Sequence, residues 1–151
     1  MQKLIIALTA AILATGSTAA SPQADVMSSV QRFVDGFNKG DTALIAAACA
    51  EQTSIIDEFP PFEWHGAGSC LRWMSDYDSD AKRNGITDGF VTIDKPRHVD
   101  IAGDRAYVVV PANYAYKKNG KPVQETGSML AIALEKTANG WRFTGWSWAK
   151  N

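Results

Sequence analysis

Histidine is scarce in this sequence: His65 and His98 are the whole supply in 151 residues. Cysteine is equally scarce, and Cys49 and Cys70 have no cluster of histidines beside them, which makes the pair a poor zinc site. No serine–histidine–aspartate arrangement, phosphate-cradling glycine loop or clustered metal motif can be read, and none of the motifs that carry a cofactor. Charge of one sign is missing as well. Fifteen Lys and Arg face sixteen Asp and Glu, a net charge of −1, so nucleic acid and anionic membrane are not expected partners. Repeats and low-complexity tracts do not occur.

Long apolar runs are limited to one. Leu4 to Ala14 follows Lys3 and is followed by the small residues Thr18-Ala19-Ala20. That order is a signal peptide over residues 1–20, cleaved after Ala20, and the run is too short for a comfortable membrane span. No cysteine beside the cleavage site suggests lipid attachment. The mature chain, residues 21–151, is then expected to be one periplasmic or secreted domain without stable membrane insertion. An exported chain meets oxidising conditions, which favours a Cys49–Cys70 bridge over two separate buried thiols. Such a bridge closes a loop of about twenty residues, worth about 3 kcal/mol in the chain-entropy picture.

What the chain does contain is turn chemistry and aromatic residues, including five tryptophans. Ser21-Pro22 reads as an N-cap followed by proline, and Val26, Val30, Phe33, Val34 and Phe37 recur at helical spacing up to Asn38-Lys39-Gly40. Asp41 caps a shorter helix from Thr42 to about Ala50. Thr53 to Asp57 and Phe62 to His65 read as two short strands around Pro60-Pro61. Ser69 is expected to cap a third helix, with Trp73, Met74 and Tyr77 on one face and Asn84-Gly85 at its end. Asp76, Asp78 and Asp80 lack the glycine and distal glutamate of a calcium loop and read as a solvated helix face.

Phe90 to Ala149 reads as a four-stranded antiparallel meander with turns at Gly103-Asp104, Asn119-Gly120 and Asn139-Gly140. Alternation places Val91, Ile93, Val99 and Ile101 on one face, with His98 and Asp100 on the other. Pro111 implies an edge strand or a bulge. In the last strand, Trp146 and Trp148 share one face and Trp141 and Phe143 the other.

Three helices, a short hairpin after the second and then a long meander form an α+β pattern that resembles the NTF2-like superfamily, in its SnoaL-like or ketosteroid-isomerase-like branch. The stretches that carry the resemblance are Phe33-Val34-Asp35-Gly36-Phe37-Asn38-Lys39-Gly40-Asp41, Phe62-Glu63-Trp64-His65-Gly66 and Gly140-Trp141-Arg142-Phe143-Thr144-Gly145-Trp146-Ser147-Trp148. It covers roughly Ala24 to Ala149. The resemblance implies a cone-like (cystatin-like) fold with three N-terminal helices packed on a curved antiparallel sheet, whose open end is a small-molecule pocket. Isomerases of that branch use a pocket carboxylate base with a tyrosine and a protonated acid as oxyanion donors. Here the first helix carries Phe33 and Phe37 but no tyrosine. Dehydratases of the branch use an aspartate with two histidines, and His98 has the parity opposite to the apolar face of its strand.

Within that frame Asp57 is the first candidate for a catalytic carboxylate. It follows Ile55-Ile56 and precedes Phe59-Pro60-Pro61-Phe62, so burial can raise its pKa; the plain alternative is a turn cap. Glu125 is the second, in a strand among uncharged neighbours, where it can instead pair with a base across the sheet. Tyr114 is a candidate hydrogen-bond donor. Trp64, Trp73, Tyr77, Trp146 and Trp148 are candidate walls of a cavity for a flat or cyclic ligand, or else core or dimer face. The expectation is an exported domain that binds a small apolar molecule, with cofactor-free acid–base chemistry of isomerase or lyase type if it is an enzyme. The alternative is a non-catalytic binding module or a homodimer formed through the outer sheet face.

Overall fold

The computed structural model describes Ala20–Asn151, so residues 1–19 of the expected signal segment lie outside the described residues. Helix α1 spans Pro22–Lys39. Its N-cap, Ser21, accepts a hydrogen bond from the Ala24 amide at 3.2 Å, and proline follows it, as the sequence predicts. The helix stops at Gly40, whose φ of 63° provides the left-handed turn that ends the stripe. Val26, Val30, Phe33 and Val34 are buried along one face. Helix α2, Thr42–Ala48, is capped by Asp41, which accepts from the amides of Ala43 and Leu44 at 3.0 Å. The two helices approach closely at Gly36, where a Cβ would lie 3.0 Å from the Leu44 Cβ.

Strand β1 (Cys49–Ile56) starts directly from α2 and pairs with the two-residue β2 (Glu63–Trp64). Helix α3 covers Ser69–Arg83. Here the expected cap is displaced by one residue. Gly68, at φ 70°, occupies the N-cap position, and the buried Ser69 hydroxyl donates instead to the Thr53 carbonyl at 2.8 Å. The helix is thereby hydrogen-bonded to β1 at the point where Cys70 forms its disulfide with Cys49.

The expected meander has five strands rather than four: β3 (Ile86–Ile93), β4 (His98–Ala102), β5 (Arg105–Lys118), β6 (Lys121–Thr137) and β7 (Gly140–Ala149). The first expected strand is broken around Pro96, and both pieces pair with the same edge of the long β5. Pro111 lies opposite that break; it pairs with Met129 of β6, and its carbonyl accepts from Asp94 at 3.0 Å. A proline is tolerated in this interior strand because the neighbour on its other side is loop rather than strand. The Asn119-Gly120 turn has two positive φ values, 51° and 79°, as a two-residue hairpin requires. At the last turn the loop residues are Ala138 and Asn139, one position earlier than expected, since Thr137 pairs with Gly140.

The sheet order is β2-β1-β7-β6-β5-β3, with β4 also on β5. Its ends do not meet. The curved antiparallel sheet is as expected, with one parallel pairing, β1 with β7, where β1 arrives from the helical layer rather than through a hairpin. Register breaks in β3, β6 and β7 bend the sheet around α1 and α3. The break in β7 also corrects the sequence parity. Ala133 pairs with Gly145 and Leu134 with Phe143, so Thr144 is an extra residue. The pleat is reset there, and Trp141, Phe143 and Trp146 are all buried on the same side. His98 and Asp100 are exposed, as their parity requires. No described helix is long and apolar enough to cross a membrane.

Candidate functional site

Helices α1 and α3 and the inner face of the bent sheet enclose a narrow, half-open cavity of about 70 Å³. That is roughly five times the space one water molecule needs, enough for a compact group rather than a fused ring system. Three parts of the chain converge on it through their own periodicities. Phe33 and Phe37 are one turn apart on α1, Trp73 and Tyr77 one turn apart on α3, and Trp146 and Trp148 two apart on β7. The rings interlock: Trp73 meets Trp146 edge to face at 4.8 Å, and Phe37 meets Tyr77 at 4.9 Å.

Asp57, the residue after β1, lines this cavity. Its amide donates to the Phe62 carbonyl at 3.0 Å, which prolongs the β1–β2 ladder and fixes the backbone. The carboxylate takes two hydrogen bonds, from the Trp73 indole to Oδ2 and from the Glu58 amide to Oδ1, both 2.7 Å long. Burial nevertheless pushes the Asp57 pKa up from 3.8 to about 6, the two hydrogen bonds opposing the shift and the Glu58 charge adding to it. A carboxyl group at about 6 exchanges protons readily near neutrality, as a general acid or base must.

Across the cavity the hydroxyls of Tyr77 and Tyr114 are hydrogen-bonded at 2.5 Å. Burial, then this bond, holds Tyr114 well above the usual phenol range, so it remains a proton donor. Gly89 makes the approach feasible: any Cβ there would collide with both hydroxyls. Tyr114 stacks on Tyr116 with centroids 4.8 Å apart, and Tyr116 in turn donates to Glu125 Oε1 at 2.9 Å. Lys150 reaches the same oxygen at 2.8 Å and Glu58 Oε2 at 3.0 Å. Glu58 lines the cavity, and burial raises its pKa while the Lys150 hydrogen bond lowers it.

Of the residues singled out in the sequence, Asp57, Tyr114, Trp73, Tyr77, Trp146 and Trp148 line one cavity. Glu125 and Trp64 do not. Glu125 stands behind Tyr116, tied to Lys150. Trp64 packs on the outer side of Phe59 with centroids 5.1 Å apart, and its indole donates to Asp76 at 2.8 Å. That bond also shows that Asp76 does more than solvate α3. Sequence reasoning passed over Glu58, Phe33 and Phe37 as cavity residues and placed Phe59 only in the rim after Asp57. The two helical phenylalanines had the right spacing but the same signature as core. Nothing local marks Glu58, or Lys150 as its partner.

Among the described residues, no three His, Cys, Asp or Glu side chains gather in a way that would hold a metal ion. Four buried polar atoms lack a partner among the described residues: Glu125 Oε2, Ser128 Oγ, Trp146 Nε1 and Trp148 Nε1. All four belong to β6 and β7, the wall of the cone facing the helices.

Residues 26–147 match the family described as SnoaL-like domain. No curated protein is similar enough in sequence to count as a relative. Solved structures of the same fold include an NTF2-like superfamily protein from Salmonella enterica serovar Typhimurium, 15% identical, covering 85% of this chain and 89% of that one, with a TM-score of 0.70. A ketosteroid isomerase-like protein from Erwinia carotovora atroseptica is 15% identical over 85% of this chain and 95% of that one, TM-score 0.67. The CaMKII hub of S. rosetta, 15% identical, covers 89% of this chain and all (100%) of that one, TM-score 0.72. At such identities the likeness is one of fold. The match over nearly the whole described chain makes this protein a member of the SnoaL-like domain family, and its helices on a bent sheet share the fold of the NTF2-like structures above.

Proposed function

We propose that this is an exported small-molecule enzyme in which Asp57 transfers a proton to or from a compact ligand held in the aromatic cavity, an isomerase- or lyase-type reaction that calls on no cofactor. The observation that carries this reading is the carboxyl group of Asp57, raised to about 6, lining a cavity shared with the Tyr77–Tyr114 hydroxyl pair. A base, a hydrogen-bond donor and an apolar wall that excludes water are the parts such a reaction uses. Export is supported by the apolar leader in the sequence and by the Cys49–Cys70 disulfide. The test is native mass spectrometry of protein taken from its own periplasm or medium. A co-purifying small molecule is expected, and that molecule should exchange hydrogen with D2O on the wild-type protein and not on Asp57→Asn. Ligand without exchange would reduce the reading to a binding module.

A second reading rests on the outer sheet face. Across β5, β6 and β7 the rows Tyr107–Ala133–Gly145, Val109–Ala131–Ser147 and Pro111–Met129–Ala149 carry no charge. Tyr107 is 50% exposed at one corner of it. Of the aromatic residues given outward parity by the sequence, Trp141 is turned inward by the β7 break, which leaves this face flatter than expected. Such a surface suits a second copy of the chain, and sedimentation velocity would show a dimer that Tyr107→Lys abolishes.

A further inference from the structure

We infer that the cavity is built for a small organic cation, a methylated or quaternary amine, whose charged head sits among the aromatic rings against Asp57. This inference names the ligand class of the cavity proposed above and rests on that cavity being the binding site. Eight of its thirteen lining residues are aromatic, two are the carboxylates Asp57 and Glu58, and none is Lys, Arg or His. A compact cation is attracted by ring faces within about 6 Å, tryptophan most strongly, and desolvation strengthens the attraction. The arrangement of rings gives it more than one wall. Trp73 and Trp146 stand edge to face, and Phe59 closes on Tyr77 from the loop side with centroids 5.9 Å apart.

The two carboxylates differ in a way that points to the ligand. Glu58 already has a counter-ion, Lys150 at 3.0 Å. Asp57 enters no ion pair among the described residues and is held by two N–H dipoles alone. A desolvated carboxylate without a cation is costly, and proteins relieve that cost by pairing the charge or protonating it. A cationic ligand supplies the missing charge from outside. The cavity volume of about 70 Å³ suits a compact head group better than a large ring system. A cation beside Asp57 also fits the proposed proton transfer, because hydrogens next to a cationic nitrogen are more acidic.

The test compares choline with its uncharged carbon isostere, in which a tert-butyl group replaces the trimethylammonium, by tryptophan fluorescence titration of the intact mature protein. Choline should bind at least about tenfold more tightly, and Asp57→Asn should erase most of that preference. Isostere and choline binding equally to the wild type would overturn the cationic class and leave the apolar pocket standing. Binding of neither would overturn both. The wild-type comparison does not depend on whether the variant folds.

Discussion

The indole nitrogen of Trp73, in the first turns of α3, donates to Asp57 Oδ2 at 2.7 Å, at the end of β1. This bond joins the helical layer to the sheet inside the cavity, and it stabilises the ionised form of a carboxyl group that burial drives the other way. Trp73 is therefore both wall and tuner of the site.

The pH dependence of stability follows from that opposition. The folded protein holds the Asp57 proton more tightly than the unfolded chain, with a pKa of about 6 against 3.8. Its burden on stability is absent below the unfolded value, grows as pH rises between the two, and is complete above the folded one. The groups facing it from neighbouring elements are Glu58, Tyr77 and the Trp73 indole. Asp57→Asn should therefore gain stability relative to the wild type with rising pH, by about 3 kcal/mol at most across that window. Asparagine keeps one acceptor oxygen for the two donors, Trp73 and Glu58, and the bond it loses costs the variant about 1 kcal/mol. Chemical denaturation of both proteins between about pH 4 and 8 measures the difference.

Trp73→Phe keeps a ring in place and removes the donor. With its strongest hydrogen bond gone, Asp57 should titrate at higher pH, and stability should fall by about 1–3 kcal/mol. Carbon-detected NMR titration of the Asp57 carboxyl reports the shift; a midpoint unchanged or lowered would contradict the role assigned to Trp73.

The Cys49–Cys70 disulfide spans a sequence separation of 21 and joins the start of β1 to the second residue of α3. Replacing both cysteines by serine should cost about 3 kcal/mol by the chain-entropy estimate. It should also loosen the Trp73–Asp57 contact, since both ends of that contact lie downstream of the bridge on the same two elements. Guanidinium unfolding, with tryptophan fluorescence as the probe, reads both effects.

Gly89→Ala should separate the Tyr77 and Tyr114 hydroxyls, because the added methyl lands on both. Destabilisation of about 1–3 kcal/mol is expected, with ligand binding weakened more than in Tyr114→Phe, which deletes the hydroxyl and keeps the backbone. Equal binding in Gly89→Ala and the wild type would show that the tyrosine pair plays no part in the cavity.

Local chemistry made much of this architecture legible. Ser21-Pro22, Gly40 and Asp41 set the limits of two helices because capping depends on a few adjacent residues. Asn119-Gly120 set a hairpin for the same reason. The apolar stripe of α1 and the face of Trp73 and Tyr77 on α3 were equally open to reading. The break at Pro96 and the β7 bulge at Thr144 were not, since register depends on the partner strand.

The sequence by itself determined the helices, the hairpin turns and the stock of aromatic residues, all of which follow from interactions within a few residues of each other. Tertiary structure alone decided that Trp146 and Trp148 share a cavity with Asp57, that Glu125 stands outside it and that Lys150 neutralises Glu58. Desolvation and charge pairing arise between segments far apart in the chain, and a single bulge exchanges the two faces of a strand.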